Sequence, residues 1–123
     1  MKKVLIIDDE NSVRMTFKVL LRKAGYGFTE AENGEQGLAA AVSTLPDLIV
    51  CDINLGGGLN GFEVVEGLRA NPSTASIPVI LITGNPVNHT ARMLELKVDF
   101  LEKPFSMNDF LSSVRKLLPV ETD

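Results

Sequence analysis

Val4-Leu5-Ile6-Ile7-Asp8-Asp9-Glu10 reads as four apolar residues in a row, stopped by three acids. Such a run does not alternate with polar residues, so it fits a strand buried on both faces, as in a parallel sheet covered by helices. Leu48-Ile49-Val50-Cys51 before Asp52, and Val79-Ile80-Leu81-Ile82 before Thr83, repeat the pattern. Val98-Asp99-Phe100-Leu101 is a weaker run. Phe28-Thr29-Glu30-Ala31 mixes polar and apolar residues, as an edge strand can. Helical stripes lie between these runs. Val13, Phe17, Leu20, Leu21 and Ala24 share a face that stops at Gly25. Leu38, Ala41, Val42 and Leu45 follow an Asn33 cap with Gln36 three residues on. Phe62, Val65 and Leu68 end at Asn71-Pro72. Met107, Phe110, Leu111, Val114, Leu117 and Leu118 run from a Ser106/Asp109 capping pair to Pro119. A fourth, poorly patterned helix starts at Asn85-Pro86 as cap and first residue. Ala91 and Leu94, with Met93 as a third, face inward there. Strand and helix thus alternate five times, which implies an α/β fold with right-handed crossovers and helices on both sheet faces.

Composition narrows the function. The chain has 123 residues, enough for one domain with a substantial core. Residues 1–119 form that domain and 120–123 a short tail or linker stump. Hydrophobic residues make up 45% and charged residues 23%, ordinary for a globular domain. A net charge of -4 speaks against direct nucleic-acid binding, which rests on Lys and Arg against phosphate. One cysteine, Cys51, excludes an internal disulfide and reads as a small buried hydrophobe. One histidine, His89, excludes metal sites needing two, and reads as an exposed residue without a special role. The apolar runs fall far below the ~20 residues a membrane helix needs. Met1-Lys2-Lys3 before the first run resembles the start of a signal peptide, but the aspartates end the run too soon. The expected location is the cytoplasm, without membrane contact.

Ligands of an open parallel sheet bind beyond the carboxyl ends of its strands. There the chain places Asp8, Asp9 and Glu10, then Asp52, then Thr83-Gly84, then Lys103-Pro104. Carboxylates gathered this way repel by about 1–4 kcal/mol per close pair, depending on the local dielectric. A hard divalent cation offsets that repulsion, and Mg²⁺ is commonly held by one or two carboxylates plus waters. A cation, a lysine and a hydroxyl together clamp a phosphoryl group. A carboxylate then serves as the nucleophile. Taken singly, each residue has an ordinary explanation. Asp8 and Asp9 fit a helix N-terminus, Asp52 a loop and Lys103 the surface. The ordinary explanations fail together, because each would be a coincidence at a successive strand end.

The pieces Leu5-Ile6-Ile7-Asp8-Asp9-Glu10, Asp47-Leu48-Ile49-Val50-Cys51-Asp52, Ile82-Thr83-Gly84 and Phe100-Leu101-Glu102-Lys103-Pro104-Phe105 occur in order. The chain resembles a two-component response-regulator receiver domain of the chemotaxis type over residues 2–118. The resemblance implies a flavodoxin-like, doubly wound five-stranded parallel sheet in the order 2-1-3-4-5, with five helices on two faces. It implies that Asp52 accepts phosphoryl from a sensor histidine kinase or a histidine phosphotransfer protein. It implies that Asp9, Asp52 and the backbone carbonyl of Asn54 ligate Mg²⁺, or Mn²⁺ in its place, while Asp8 acts through a metal-bound water. Lys103, Thr83 and Gly84 would bind the phosphoryl oxygens. Thr83 and Phe100 would form the switch, and Lys103-Pro104 would carry a cis peptide bond. An effector domain or target protein would read the altered surface around the fourth helix, fifth strand and fifth helix. Such a domain is no enzyme in the usual sense, although it assists its own phosphorylation and dephosphorylation.

Two departures stand out. The loop Ile53-Asn54-Leu55-Gly56-Gly57-Gly58-Leu59-Asn60-Gly61 has Gly56 where the family usually has proline, and is one residue longer before Gly61. Its three glycines imply high loop entropy without ligand, and further ordering when metal or phosphate binds. The stretch from Thr83 to Phe100 is about two residues short, with Lys97 where a helix-ending glycine is common. A short or irregular fourth helix is expected. The competing reading is a pseudo-receiver that binds proteins without phosphorylation. A haloacid-dehalogenase-like phosphatase would need a second acid where Asn54 stands. No glycine-rich nucleotide motif follows a strand.

Overall fold

The computed structural model describes residues 1–84 and 86–119. Its order is β1 (Lys3–Ile7), α1 (Asn11–Lys23), β2 (Gly27–Ala31), α2 (Gly34–Thr44), β3 (Leu48–Asp52), α3 (Gly61–Ala70), β4 (Val79–Thr83), a 3₁₀ turn (Pro86–His89), α4 (Thr90–Leu96), β5 (Asp99–Glu102) and α5 (Met107–Leu117). The strands form one parallel sheet, β2-β1-β3-β4-β5. The order reverses at β1, between β2 and β3, as the strand-end rule for ligand sites requires.

The uniform apolar runs are explained by what covers them. Leu5, Ile7, Ile49, Cys51, Val79 and Leu81 pack against Ala41 of α2, Val65 and Leu68 of α3 and Met93 of α4. The alternate residues Val4, Ile6, Leu48, Val50, Ile80 and Ile82 pack on the other face against Phe17 and Leu21 of α1 and Phe110 and Val114 of α5. Every position of β3 and β4 is therefore buried. On the second face the Phe17 and Phe110 rings stack at 4.4 Å. The buried Tyr26 hydroxyl donates to the Leu118 carbonyl at 2.5 Å, tying the end of α5 to the start of β2.

Helix ends follow local chemistry. Asn33 Oδ1 accepts from Gln36 N at 2.8 Å, and Ser106 and Asp109 form a capping box before α5. Asn60 and Glu63 form another before α3. Gly25 takes φ +92 after α1, a conformation that favours glycine.

Several side-chain directions differ from the stripe reading. Val42 and Leu45 of the second stripe and Met107 of the last are exposed. The fourth helix differs most. It begins at Thr90 after the 3₁₀ turn and spans seven residues. Ala91 and Leu94 face solvent, and Met93 is the buried residue. Two turns of helix repeat the inward face only about twice, and a one-residue error in phase rotates that face by about 100°. The Asn85 cap lies outside the described residues. Lys97 closes α4 with φ 56, so a lysine takes the left-handed position suited to glycine. The Arg69 guanidinium of α3 answers part of this local cost, donating to the carbonyls of Leu96 (3.0 Å) and Lys97 (3.3 Å). His89 is half-buried rather than exposed, its ring 5.0 Å from that of Phe62. Among the described residues no helix is long and apolar enough to cross a membrane.

Candidate functional site

Strand register brings the polar residues together. Ile7 of β1 lies beside Cys51 of β3, Asp52 beside Ile82 of β4, and Thr83 beside Glu102 of β5. One step further along, Asp8 follows β1 and Lys103 follows β5. Asp8, Asp52 and Thr83 are buried, while Asp9, Asn54, Gly84 and Lys103 are exposed.

Asp52 is held at both oxygens. Its Oδ2 accepts from Lys103 Nζ at 2.6 Å, and its Oδ1 accepts from Asn54 N at 3.0 Å. The main chain fixes the lysine's base: Lys103 N donates to the Thr83 carbonyl at 2.8 Å, and Lys103-Pro104 is cis. Asp8 Oδ1 accepts from Glu10 N at 2.9 Å. The backbone of Asp8 is braced on its other side by Arg14, whose Nη1 donates to the Asp8 carbonyl at 2.6 Å. Arg14 Nε also donates to Glu30 Oε1 at 2.9 Å, so this buried guanidinium ties α1 and β2 to the end of β1. Arg14 belongs to no motif; its signal in the sequence is a charge three residues before Phe17 and seven before Leu21, inside the apolar stripe of α1.

The electrostatics show crowded negative charge. Burial lifts the Asp8 carboxyl to about 6, and the charges of Asp52 and Asp9 add to the rise against the Glu10 N–H and Lys103. For Lys103, burial works against the ammonium. The hydrogen bond to Asp52 and the charges of Asp52, Asp8 and Glu10 outweigh it, so its pKa stands above the usual lysine value. Burial, reinforced by Asp52 and Asp8, pushes the Cys51 thiol up, which leaves it an unreactive core residue. Among the described residues, no three acid, imidazole or thiol groups come together as a complete metal cage. The donors that are present are hard oxygens in partial number beside excess negative charge. That set fits Mg²⁺, which keeps several waters, better than a metal needing a full set of protein ligands.

Phe100 is 47% exposed, so it is not a core aromatic. With Asp99, Ser113 and Lys116 it lines a shallow cleft of about 170 Å³ between β5 and α5. Below the site, Gly61 N donates to the Ile53 carbonyl at 2.8 Å. A Cβ on Gly61 would meet the Asp52 carbonyl oxygen at 2.6 Å, so only glycine lets α3 start this close to Asp52.

A doubly wound sheet with an acid pair, a buried aspartate, a hydroxyl and a lysine gathered along the carboxyl ends of its strands has the arrangement of a receiver-type signalling domain. The response regulator receiver domain family matches residues 4–115, and the chain belongs to that family. It is 37% identical over 120 residues to the DNA-binding dual master transcriptional regulator RpaA of Synechocystis, covering 96% of this chain and 49% of that protein. It is 31% identical over 121 residues to the protein PilH of Pseudomonas aeruginosa, covering 96% of this chain and 98% of that one. The chain thus spans about half the length of RpaA and nearly all of PilH. The Vibrio cholerae chemotaxis protein CheY4 superposes with a TM-score of 0.89 at 28% identity, covering 96% of this chain and 99% of that one. Proteins of this family are phosphoacceptor switches of two-component systems. They are signalling domains and not classical enzymes, and they work with histidine kinases and effector domains.

Proposed function

We propose that Asp52 accepts a phosphoryl group from a phosphohistidine on a sensor histidine kinase or a histidine phosphotransfer protein. The observation that carries this is the buried Asp52 carboxylate in contact with Lys103 at the end of the central strand. Asp9, Asp52 and the Asn54 carbonyl would hold Mg²⁺ (or Mn²⁺), with Asp8 acting through a bound water. When bound, the ion draws negative charge from the transferring group. Asp52 attacks phosphorus in line, an O–P bond forms, and the P–N bond to the donor imidazole breaks. Lys103 leaves the carboxylate for the phosphoryl oxygens, where its ammonium stabilises charge that the carboxylate no longer carries. Thr83 and the Gly84 backbone bind the same oxygens. Hydrolysis of the acyl phosphate by water, assisted at the same site, returns Asp52 to its starting state.

The switch is a population shift, limited by how much better the phosphoryl group binds one packing of β4, α4 and β5 than the other. Thr83 moves toward the new dianion, and Phe100 exchanges its half-exposed position for one against the sheet. The surface of α4, β5 and α5 then changes for an effector domain or target protein. Residues 1–119 form the receiver unit. It acts in the cytoplasm, with no nucleic-acid contact of its own, as its negative charge suggests.

Incubation with Mg²⁺ and acetyl phosphate, followed by mass measurement of the intact chain, tests the reading. One phosphoryl adduct is expected on the native chain and none on Asp52→Asn. No adduct on the native chain would overturn it in favour of a phosphorylation-independent binding module.

A further inference from the structure

The glycine-rich loop that sets this chain apart is fastened to a residue with no assigned role. Glu35 stands in the first turn of α2, on a different element from every residue of the site. Its Oε1 accepts from Leu59 N at 3.0 Å, reaching across 24 positions of sequence. Gly58 runs directly beneath the same carboxylate. It has φ +82, and a Cβ there would lie 2.7 Å from Glu35 Oε2. Leu59 in turn seats against the start of α2, where a Cβ on Gly34 would come within 2.8 Å of Leu59 Cβ. Gly34 thus leaves room for Leu59 against α2, and Gly58 supplies the positive φ with which the loop passes the Glu35 carboxylate.

The inner end of the loop meets the cation end of the site. Gly56 has φ +77, and a Cβ there would sit 3.2 Å from Asp9 Oδ2. Two residues earlier, Asn54 N donates to Asp52 Oδ1. The loop is therefore held at Asp52, passes along Asp9, and is held again at Glu35. Three consecutive glycines lose more backbone freedom on ordering than any other tripeptide. A charge-assisted hydrogen bond to Leu59 N is the fastening that offsets this loss at the outer end.

We propose that Glu35 is a positioning residue: by latching Leu59 N it keeps the 54–58 backbone against Asp9 and Asp52, in the place where a divalent cation is bound. The inference rests on the phosphoacceptor reading, since that reading supplies the cation. Glu35 acts through the loop and touches neither the cation nor the phosphoryl group. Interactions that orient metal ligands from behind are commonly worth ten- to a hundredfold in metal affinity, and an exposed latch belongs at the lower end.

Two measurements on the full chain test it: Mg²⁺ binding by isothermal titration calorimetry, and amide hydrogen exchange of residues 56–59 in EDTA. Glu35→Ala should weaken Mg²⁺ binding about tenfold and speed exchange at Leu59 and its neighbours. Glu35→Gln keeps an acceptor oxygen for Leu59 N but loses the charge, and should stay within about threefold of the native chain. Native Mg²⁺ affinity and native exchange in Glu35→Ala would overturn the latch while leaving the phosphoacceptor reading intact. Equal loss in Glu35→Gln and Glu35→Ala would overturn it in favour of simple attraction between Glu35 and the cation. A native chain that takes up no Mg²⁺ would overturn the phosphoacceptor reading and this inference with it.

Discussion

Asp8→Asn should make the metal-free protein more stable, although it alters a buried residue at the centre of the site. In the folded chain the Asp8 carboxyl titrates near 6, against 3.8 for an ordinary aspartate, chiefly because it is buried. At pH 7.5 it is ionised in both the folded and unfolded states, and holding the charge inside the fold costs up to about 3 kcal/mol. Relaxation of neighbouring groups lowers this, so about 1–3 kcal/mol is the expected gain from removing the charge. Asparagine keeps an oxygen where Asp8 Oδ1 accepts from Glu10 N, so the turn into α1 survives. Removing the charge also relieves the repulsion that Asp52 and Asp9 exert on this position. The pH dependence has a definite sign. The folded pKa lies above the unfolded one, so the penalty is full above pH 6 and fades as pH falls toward 4. The native chain should therefore gain on the variant across that window. Urea denaturation in EDTA at pH 7.5 and 4.5 reads both effects. Addition of Mg²⁺ should narrow the gap at pH 7.5, because the ion stabilises the native carboxylates more than the amide. A variant no more stable than the native chain in EDTA at pH 7.5, or a stability gap that does not shrink at pH 4.5, would refute the reasoning.

Lys103→Met should act in the opposite direction. It strips the buried Asp52 of its cationic partner, and because Lys103 is itself half-exposed, the expected loss in EDTA is about 1–2 kcal/mol. The same variant should form the acetyl phosphate adduct far more slowly, measured by the mass assay over time. Gly61→Ala should be costly for a single methyl group, by about 2 kcal/mol or more, because the clash is with the Asp52 and Ile53 backbone and not with a movable side chain. Thermal denaturation reads that loss, and a neutral result would show that α3 can retreat from β3.

Much of the architecture could be read before any coordinates. Val4-Leu5-Ile6-Ile7, Leu48-Ile49-Val50-Cys51 and Val79-Ile80-Leu81-Ile82 are buried on two faces, so every residue reports the same environment and the signal is strong. The strips of α1 and α5 were legible for a related reason: long helices repeat their inward face several times. Val42, Leu45 and Met107 misled because an apolar residue at the edge of a stripe can stay exposed at little cost. The short α4 offers little repetition to average, and of its three inward candidates only Met93 is buried.

The sequence by itself determined the sheet, its parallel sense and the convergence of Asp8, Asp52 and Lys103, because consecutive strand ends of a doubly wound sheet share one edge. Tertiary structure alone decided the contacts between elements with no common period. Arg14 on the Asp8 carbonyl and Glu30, Arg69 on the end of α4, and Glu35 on Leu59 are each meetings of one side chain with another part of the fold. Hydrophobic burial is written in repeated residues and survives averaging along the chain. A polar contact depends on one side chain reaching one backbone atom, and that distance exists only once the chain has folded.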